Sequence, residues 1–185
     1  TTITSIRVLL CFVASLGLNT FHWDIGSAFL HASLPETERI YCRAPEGLRE
    51  YDSEGNELFW YLKKSLYGLK QAPRLWNEDI AKSLRDFGFI QSPADPCTFL
   101  YLKGASICII CLYVDDLIGG SNDSKLQQDI FNYLKKIYTV TSSGKLTYAL
   151  NVQIDHHSNG LALHQTKYIS DLLQKYGRVS FESQG

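Results

Sequence analysis

An apolar run ends on two adjacent carboxylates in the stretch Ile107 to Gly120, ICIICLYVDDLIGG. Ile107 to Val114 is too short to cross a membrane and is rich in β-branched residues, so it reads as a buried strand. Asp115 and Asp116 follow, then the apolar pair Leu117 and Ile118, then Gly119 and Gly120. Strand, acidic turn, strand is a hairpin pattern. Its tip is unusual, because two like charges sit side by side at the end of a rigid apolar element. Carboxylates near a core repel each other and resist desolvation. A divalent cation removes that cost, and hard oxygen ligands suit Mg²⁺. An isolated pair of aspartates is more often a solvated turn, since turns favour Asp on chemistry alone. The rest of the chain has to decide between the two.

A chain of 185 residues with 45% hydrophobic and 20% charged residues is long enough for one domain with a real core. No segment has the length of a transmembrane helix or the layout of a signal peptide. The five cysteines are odd in number, which points to free thiols in a reducing compartment. Cys108 and Cys111 have the spacing of a metal pair. On a strand, however, residues three apart face opposite sides, so they read as small buried hydrophobes. The chain has no Met, which is expected of a segment of a longer polypeptide. Its net charge of −1 argues mildly against nucleic acid as a partner, unless basic residues cluster or lie on flanking segments.

The patterning predicts a helix over Thr1 to Leu18, capped at Thr4 or Ser5, with a stripe of Ile3, Ile6, Leu10, Val13 and Leu16. A short strand, Thr20 to Asp24, ends on a carboxylate. Further strands are expected at Arg39 to Arg43 and Glu57 to Lys63. Pro73 opens a helix whose stripe runs through Leu75 or Trp76, Ile80, Leu84 and Phe87 to a stop at Gly88. Two strands, Cys97 to Leu102 and Ser106 to Tyr113, precede the acidic hairpin. Asp123 starts a helix through Leu126, Ile130, Leu134 and Ile137. Tyr148 to Ile154 is a strand, Asn159-Gly160 a hairpin turn, Leu161 to His164 its return, and Thr166 to Tyr176 a last helix. This interleaving predicts an α+β domain, an antiparallel sheet with helices packed on one face.

Asp24 ends one strand and Asp115 begins a turn on another. If those strands are neighbours their carboxylates converge. Two cations about 4 Å apart, held by such acids, stabilise the attacking and leaving oxygens of phosphoryl transfer. Taken alone, Asp24 is more often a plain strand-end acid. His22, His156 and His157 have no acid or His at metal-ligand spacing and read as structural or exposed. Ser65 to Trp76 carries Lys70 and Arg74 beside Tyr67, Gly68 and Gln71. The residues alone leave open whether this is a nucleotide-facing turn or an ordinary helix N-terminus with solvated cations.

FHWDIGSAFL, SLYGLKQAPRLW, GFIQSPADPCTFLY and CLYVDDLI occur in this order, followed by LALHQTKYISDLL. Together they resemble the reverse transcriptase domain of copia-type LTR retrotransposons over nearly the whole chain. The resemblance implies a polymerase palm with partial fingers, covering residues 1–185 as part of a longer polyprotein. It implies RNA-directed DNA polymerase activity with Mg²⁺ or Mn²⁺. The partners implied are an RNA or DNA template with its primer, deoxynucleoside triphosphates, and the remaining Pol segments, integrase and RNase H, without a membrane. The implied location is a cytoplasmic virus-like particle or the nucleus. By position, Asp24, Asp115 and Asp116 match the catalytic carboxylates, and the Ile25 carbonyl is a further candidate metal ligand. Asp24 and Asp115 are expected to bridge the ions, with Asp116 weaker or indirect. Phe29 matches the steric gate against a ribose 2′-OH, and Tyr113 the aromatic beside the primer end. Tyr67, Gly68, Lys70 and Gln71 match the segment that lies against nucleotide and template.

Two departures from the resembling family stand out: Leu30-His31-Ala32 where Leu-Asn-Gly is common after the Ala-Phe pair, and Leu150-Asn151 where Leu-Gly is usual. An αL residue at Asn151 is strained without Gly, though Asn tolerates it best. Two other functions compete. One is an inactive relic lacking complete fingers, thumb and RNase H. The other is a different palm-fold enzyme, such as a nucleotide cyclase, against which SLYGLKQAPRLW argues.

Overall fold

The computed structural model describes residues 1–177. In chain order the elements are α1 (Ile3–Leu16), β1 (Asn19–Ile25), a 3₁₀ turn (Ala28–Leu30), β2 (Tyr41–Arg43), β3 (Phe59–Tyr61) and α2 (Ala72–Phe87). Then come β4 (Ile90–Gln91), β5 (Thr98–Lys103), β6 (Ser106–Tyr113), β7 (Asp116–Ser121) and α3 (Ser124–Lys135). The last are β8 (Val140–Gly144), β9 (Tyr148–Ala149), β10 (Val152–His157), β11 (Gly160–His164) and α4 (Thr166–Lys175). The main sheet has six strands in the order β4-β5-β6-β7-β1-β8, and every neighbouring pair is antiparallel. The fold is therefore α+β, as the interleaved pattern predicts.

The helices do not all pack on one face, and that expectation is corrected. Period-two alternation along β6 sends Cys108, Ile110 and Leu112 to one side, and Ile109 and Cys111 to the other. The first side meets Trp76, Ile80 and Leu84 of α2 and Leu126, Ile130 and Leu134 of α3. The second meets Ile6, Leu9, Leu10 and Val13 of α1, together with Ala149 and Ile154 of the small sheet β11-β10-β9. A sheet buried on both faces needs apolar residues in both alternating sets, which is why β6 reads as a continuous apolar run. The two cysteines part as alternation requires, and burial pushes the Cys108 thiol up to about 12.

Phe21 and Trp23 of β1 stack on the α2–α3 side at 3.9 Å between ring centroids. Burying each of them contributes roughly 2–3 kcal/mol. Gly119 of β7 lies under Phe21: a Cβ there would stand 2.3 Å from the Phe21 Cζ. Gly119-Gly120 is thus a stretch of buried strand rather than its end.

Other boundaries differ for local reasons. The α1 cap is Thr2, whose hydroxyl accepts from the Ser5 N–H, not Thr4 or Ser5. Ile137 lies beyond α3 and is exposed, while Tyr138 takes the buried place. The expected strand Tyr148 to Ile154 is cut in two, because Leu150 and Asn151 both adopt positive φ, 48° and 63°. Asp123 caps α3 as expected, accepting from the Leu126 N–H at 3.0 Å.

Candidate active site

The acidic hairpin turns one residue earlier than its sequence suggests. Tyr113 pairs with Asp116, so the two-residue turn is Val114-Asp115 and Asp116 is already the first residue of β7. Val114 has φ 54°, and Asp115 is not among the positive-φ residues. That combination fits a type II′ turn, which prefers Gly at its first central position. A β-branched residue there stores on the order of 1–3 kcal/mol of strain. Two hydrogen bonds hold the tip against it. The Trp76 indole N–H donates to the Val114 carbonyl at 2.7 Å, and the Ile25 N–H to the Asp115 carbonyl at 2.8 Å. At about 1 kcal/mol each, they are of the size needed to offset the strain.

β1 lies beside β7, with Asp24 directly opposite Asp116. Directly opposed residues project to the same face with Cβ atoms about 5 Å apart. Asp115 is tied to the end of β1 through Ile25. The three acids, remote in sequence, therefore gather at one end of two neighbouring strands.

Each of two acids has a specific partner. Asp116 Oδ1 lies 2.6 Å from His22 Nε2. Asp115 Oδ2 accepts from the Tyr67 hydroxyl at 2.9 Å. The hydrogen bond to Asp116 raises the His22 pKa above its ordinary value, against the opposing effect of burial, and the Asp24 charge adds to the rise. Desolvation, followed by the bond to Asp115, pushes the Tyr67 phenol up, and Asp24 contributes again. The Asp24 charge thus acts in the same direction on both partners.

Asp115 Oδ1 is buried and has no hydrogen-bond partner among the described residues. A buried, unpartnered carboxylate oxygen beside two further carboxylates is a donor set suited to a hard divalent cation. Among the described residues, however, no three His, Cys, Asp or Glu side chains already stand in a metal-holding arrangement. With Asp116 turned to His22 and Asp115 shared with Tyr67, the donors fit in chemistry while their present orientations are partly engaged elsewhere.

Phe29 lies beside the site and packs on Tyr67 with ring centroids 4.6 Å apart. Tyr113 is exposed next to the turn, Gly68 has φ 99°, and Lys70 is exposed. Gln71 is drawn elsewhere: its Nε2 donates to Glu38 at 2.9 Å, next to an Arg74–Glu38 pair. Phe29, Tyr67 and Tyr113 thus border the acids, whereas Gln71 faces Glu38.

Residues 1–183 match the family model described as reverse transcriptase (RNA-dependent DNA polymerase). The Retrovirus-related Pol polyprotein from transposon RE1 of Arabidopsis thaliana is 32% identical over 96% of this chain. That from transposon TNT 1-94 of Nicotiana tabacum is 34% identical over 94%. The chain belongs to the copia-type reverse transcriptases of retrotransposon Pol polyproteins. A putative transposon Ty5-1 protein of Saccharomyces cerevisiae is 31% identical over 80% of the chain and 47% of its own length. The chain spans only 12% of the RE1 polyprotein and 13% of the TNT 1-94 polyprotein.

In this reverse transcriptase chain, His22 is the site residue that sequence reasoning passed over. The signal was present in FHWD: positions two apart on a strand share a face, so His22 had to accompany Asp24. Its acid partner lies on a neighbouring strand, where no spacing within one segment reveals it.

Proposed function

We propose that this domain is the catalytic palm of an RNA-directed DNA polymerase, adding deoxynucleotides to a primer 3′-OH by a two-cation mechanism. The observation that carries the reading is the β1–β7 register, which sets Asp24 opposite Asp116 with Asp115 fastened to Ile25. Asp24 and Asp115, with the Ile25 carbonyl, would hold Mg²⁺ or Mn²⁺, and Asp116 has the indirect role. When bound, the ions stabilise charge on the attacking and leaving oxygens.

The chain's own contribution is placement. Phosphoryl transfer asks little covalent chemistry of a protein and depends on an in-line geometry. The strand pairing and the Trp76 and Ile25 hydrogen bonds fix where the acids stand. Phe29, held by its packing on Tyr67, is the wall that would meet a ribose 2′-OH and so favour deoxynucleotides. Tyr67, Gly68 and Lys70 lie toward the nucleotide and template, and Tyr113 toward the primer end. Gln71 has that role only if its bond to Glu38 opens. Partial fingers, the flanking integrase and RNase H segments, and a particle-bound location belong to the same reading. Basic flanks would supply much of the grip on an RNA–DNA duplex.

Primer extension on an RNA template tests this, using the chain alone and the chain within its flanking Pol segments. Extension that falls by about a hundredfold or more in Asp115→Asn supports the reading. No extension even with the flanks restored would leave a folded relic. Turnover of a nucleoside triphosphate without primer or template would point to a cyclase-type enzyme instead.

A further inference from the structure

His22 is not a bystander to the three acids. It sits on β1 two residues before Asp24, so both project to one face of the sheet. Its direct cross-strand partner is Ile118, while Asp24 is the direct partner of Asp116. The 2.6 Å contact between His22 Nε2 and Asp116 Oδ1 is therefore a diagonal one. It draws the Asp116 carboxylate along the strand toward Ile118, away from the turn that carries Asp115.

A second observation points the same way. A cavity of about 260 Å³ opens beside the hairpin, lined by His22, Tyr113, Asp116, Ile118 and the Leu150–Asn151 turn. Neither Asp24 nor Asp115 lines it. Asp116 thus lines this cavity together with His22, its hydrogen-bond partner. Asp115, by contrast, keeps a buried oxygen with no partner among the described residues.

We infer that His22 is a positioning residue that holds the Asp116 carboxylate out of the cation-binding set, leaving Asp24 and Asp115 as the two acids that face the ions. This rests on the reading of the site as a cation-holding one. Two carboxylates neutralise less of the cation's charge than three. They also leave more of its coordination sphere for triphosphate oxygens and water, which Mg²⁺ retains in such sites. Without His22, Asp116 is free to turn back toward Asp24 and become a third ligand, at the expense of those positions.

The test is Mn²⁺ binding to the chain, followed by the electron paramagnetic resonance of free Mn²⁺, with no nucleotide or primer present. His22→Leu puts an apolar side chain of similar bulk, with no donor, in place of the imidazole, and binds Mn²⁺ more tightly by on the order of tenfold, the size by which outer partners of metal ligands move affinity. His22→Gln, whose amide N–H can again reach Asp116, returns to the wild-type affinity. Asp116→Asn weakens binding by less than about twofold where His22 is present and by about tenfold in the His22→Leu background. The first half of this arm, Asp116→Asn with His22 in place, does not depend on the folding of any His22 variant. Unchanged or weaker binding in His22→Leu overturns the inference, as does a tenfold loss in Asp116→Asn alone. Asp24→Asn separates the two layers. If it abolishes Mn²⁺ binding while the His22 arms fail, only the role of His22 is lost. If it leaves binding intact, the cation site falls and the inference with it.

Discussion

The Trp76 indole donates its N–H to the Val114 carbonyl at 2.7 Å, so helix α2 holds the tip of a hairpin strained at that same residue. Trp76 is buried, whereas Val114 is half exposed, so water can replace the donor only from one side. Trp76→Phe keeps an aromatic ring and removes the N–H. We expect a loss of about 2–3 kcal/mol in urea unfolding, about 1 kcal/mol for the bond and the rest for the ring volume removed from the core. Amide exchange at Ile25, whose N–H binds the Asp115 carbonyl, should quicken as the tip loosens. In Val114→Gly, relief of strain is set against the greater freedom of Gly in the unfolded chain, and the net change should be within about 1 kcal/mol. An Ile25 amide as protected in Trp76→Phe as in the wild type would show that α2 does not restrain the turn.

Tyr67 offers a second handle, because it is exposed and its hydroxyl occupies Asp115 Oδ2. Tyr67→Phe leaves the packing on Phe29 in place and frees that oxygen. Unfolding free energy should fall by about 1 kcal/mol or less, the net worth of that bond at an exposed position. Divalent-cation affinity should rise by roughly fivefold, the equivalent of one hydrogen bond of about 1 kcal/mol no longer competing for the carboxylate. Calorimetric titration with Mn²⁺ reads this directly. Weaker binding in the variant would mean that the hydroxyl helps to seat the ion.

Gly119 and Gly120 should differ sharply when given a side chain. At Gly119 a Cβ would lie 2.3 Å from the Phe21 ring and 2.7 Å from the Ile109 carbonyl oxygen. Backbone cannot move aside in the middle of a six-stranded sheet. Gly119→Ala is expected to cost about 3 kcal/mol or more. At Gly120 the obstacle is a Val13 methyl at 2.8 Å, a side chain that can shift. That substitution should cost roughly 1–2 kcal/mol. Urea midpoints in the order wild type, Gly120→Ala, Gly119→Ala check the pair, and the reverse order would contradict the packing.

The glycines also mark where the sequence stopped being legible. A continuous apolar run interrupted by two acids made β6 and β7 visible as a hairpin, and the stripes of α2 and α3 came through because their buried residues recur at helical spacing. The polar strand β8, VTSSG, was invisible: only Val140 of its five residues is buried, and it is held by pairing to β1 rather than by a pattern of its own. The packing of α1 on the opposite face could not be read either, since a helical stripe says that a helix is buried but not against which side of a sheet. At the site, Asp24 and the Asp115-Asp116 pair stood out because acids at strand ends are chemically conspicuous. His22 did not, because its meaning depends on the β1–β7 register, which is a tertiary fact.

A last prediction concerns pH and lies away from the acids. Asp95 accepts from the Thr1 hydroxyl at 2.8 Å, the Cys97 N–H at 2.9 Å and the Ser5 hydroxyl, tying the first turn of α1 to the loop before β5. Burial pushes its carboxyl up, but these donors together outweigh it and hold the pKa at about 2, below the ordinary 3.8. A group whose pKa is depressed by folding stabilises the folded state above its unfolded value, and that stability is lost as pH falls through the folded value. The contribution of Asp95 should therefore be complete above about 4 and fade toward 2. Asp95→Asn keeps the shape and removes the charge. With a discount for partial exposure, it should cost about 1 kcal/mol near neutral pH. The gap between wild type and variant in urea melts should narrow steadily as pH is lowered through that window. A gap that stays constant would mean that the amide serves the three donors as well as the carboxylate, and that the charge on Asp95 contributes nothing to the docking of α1.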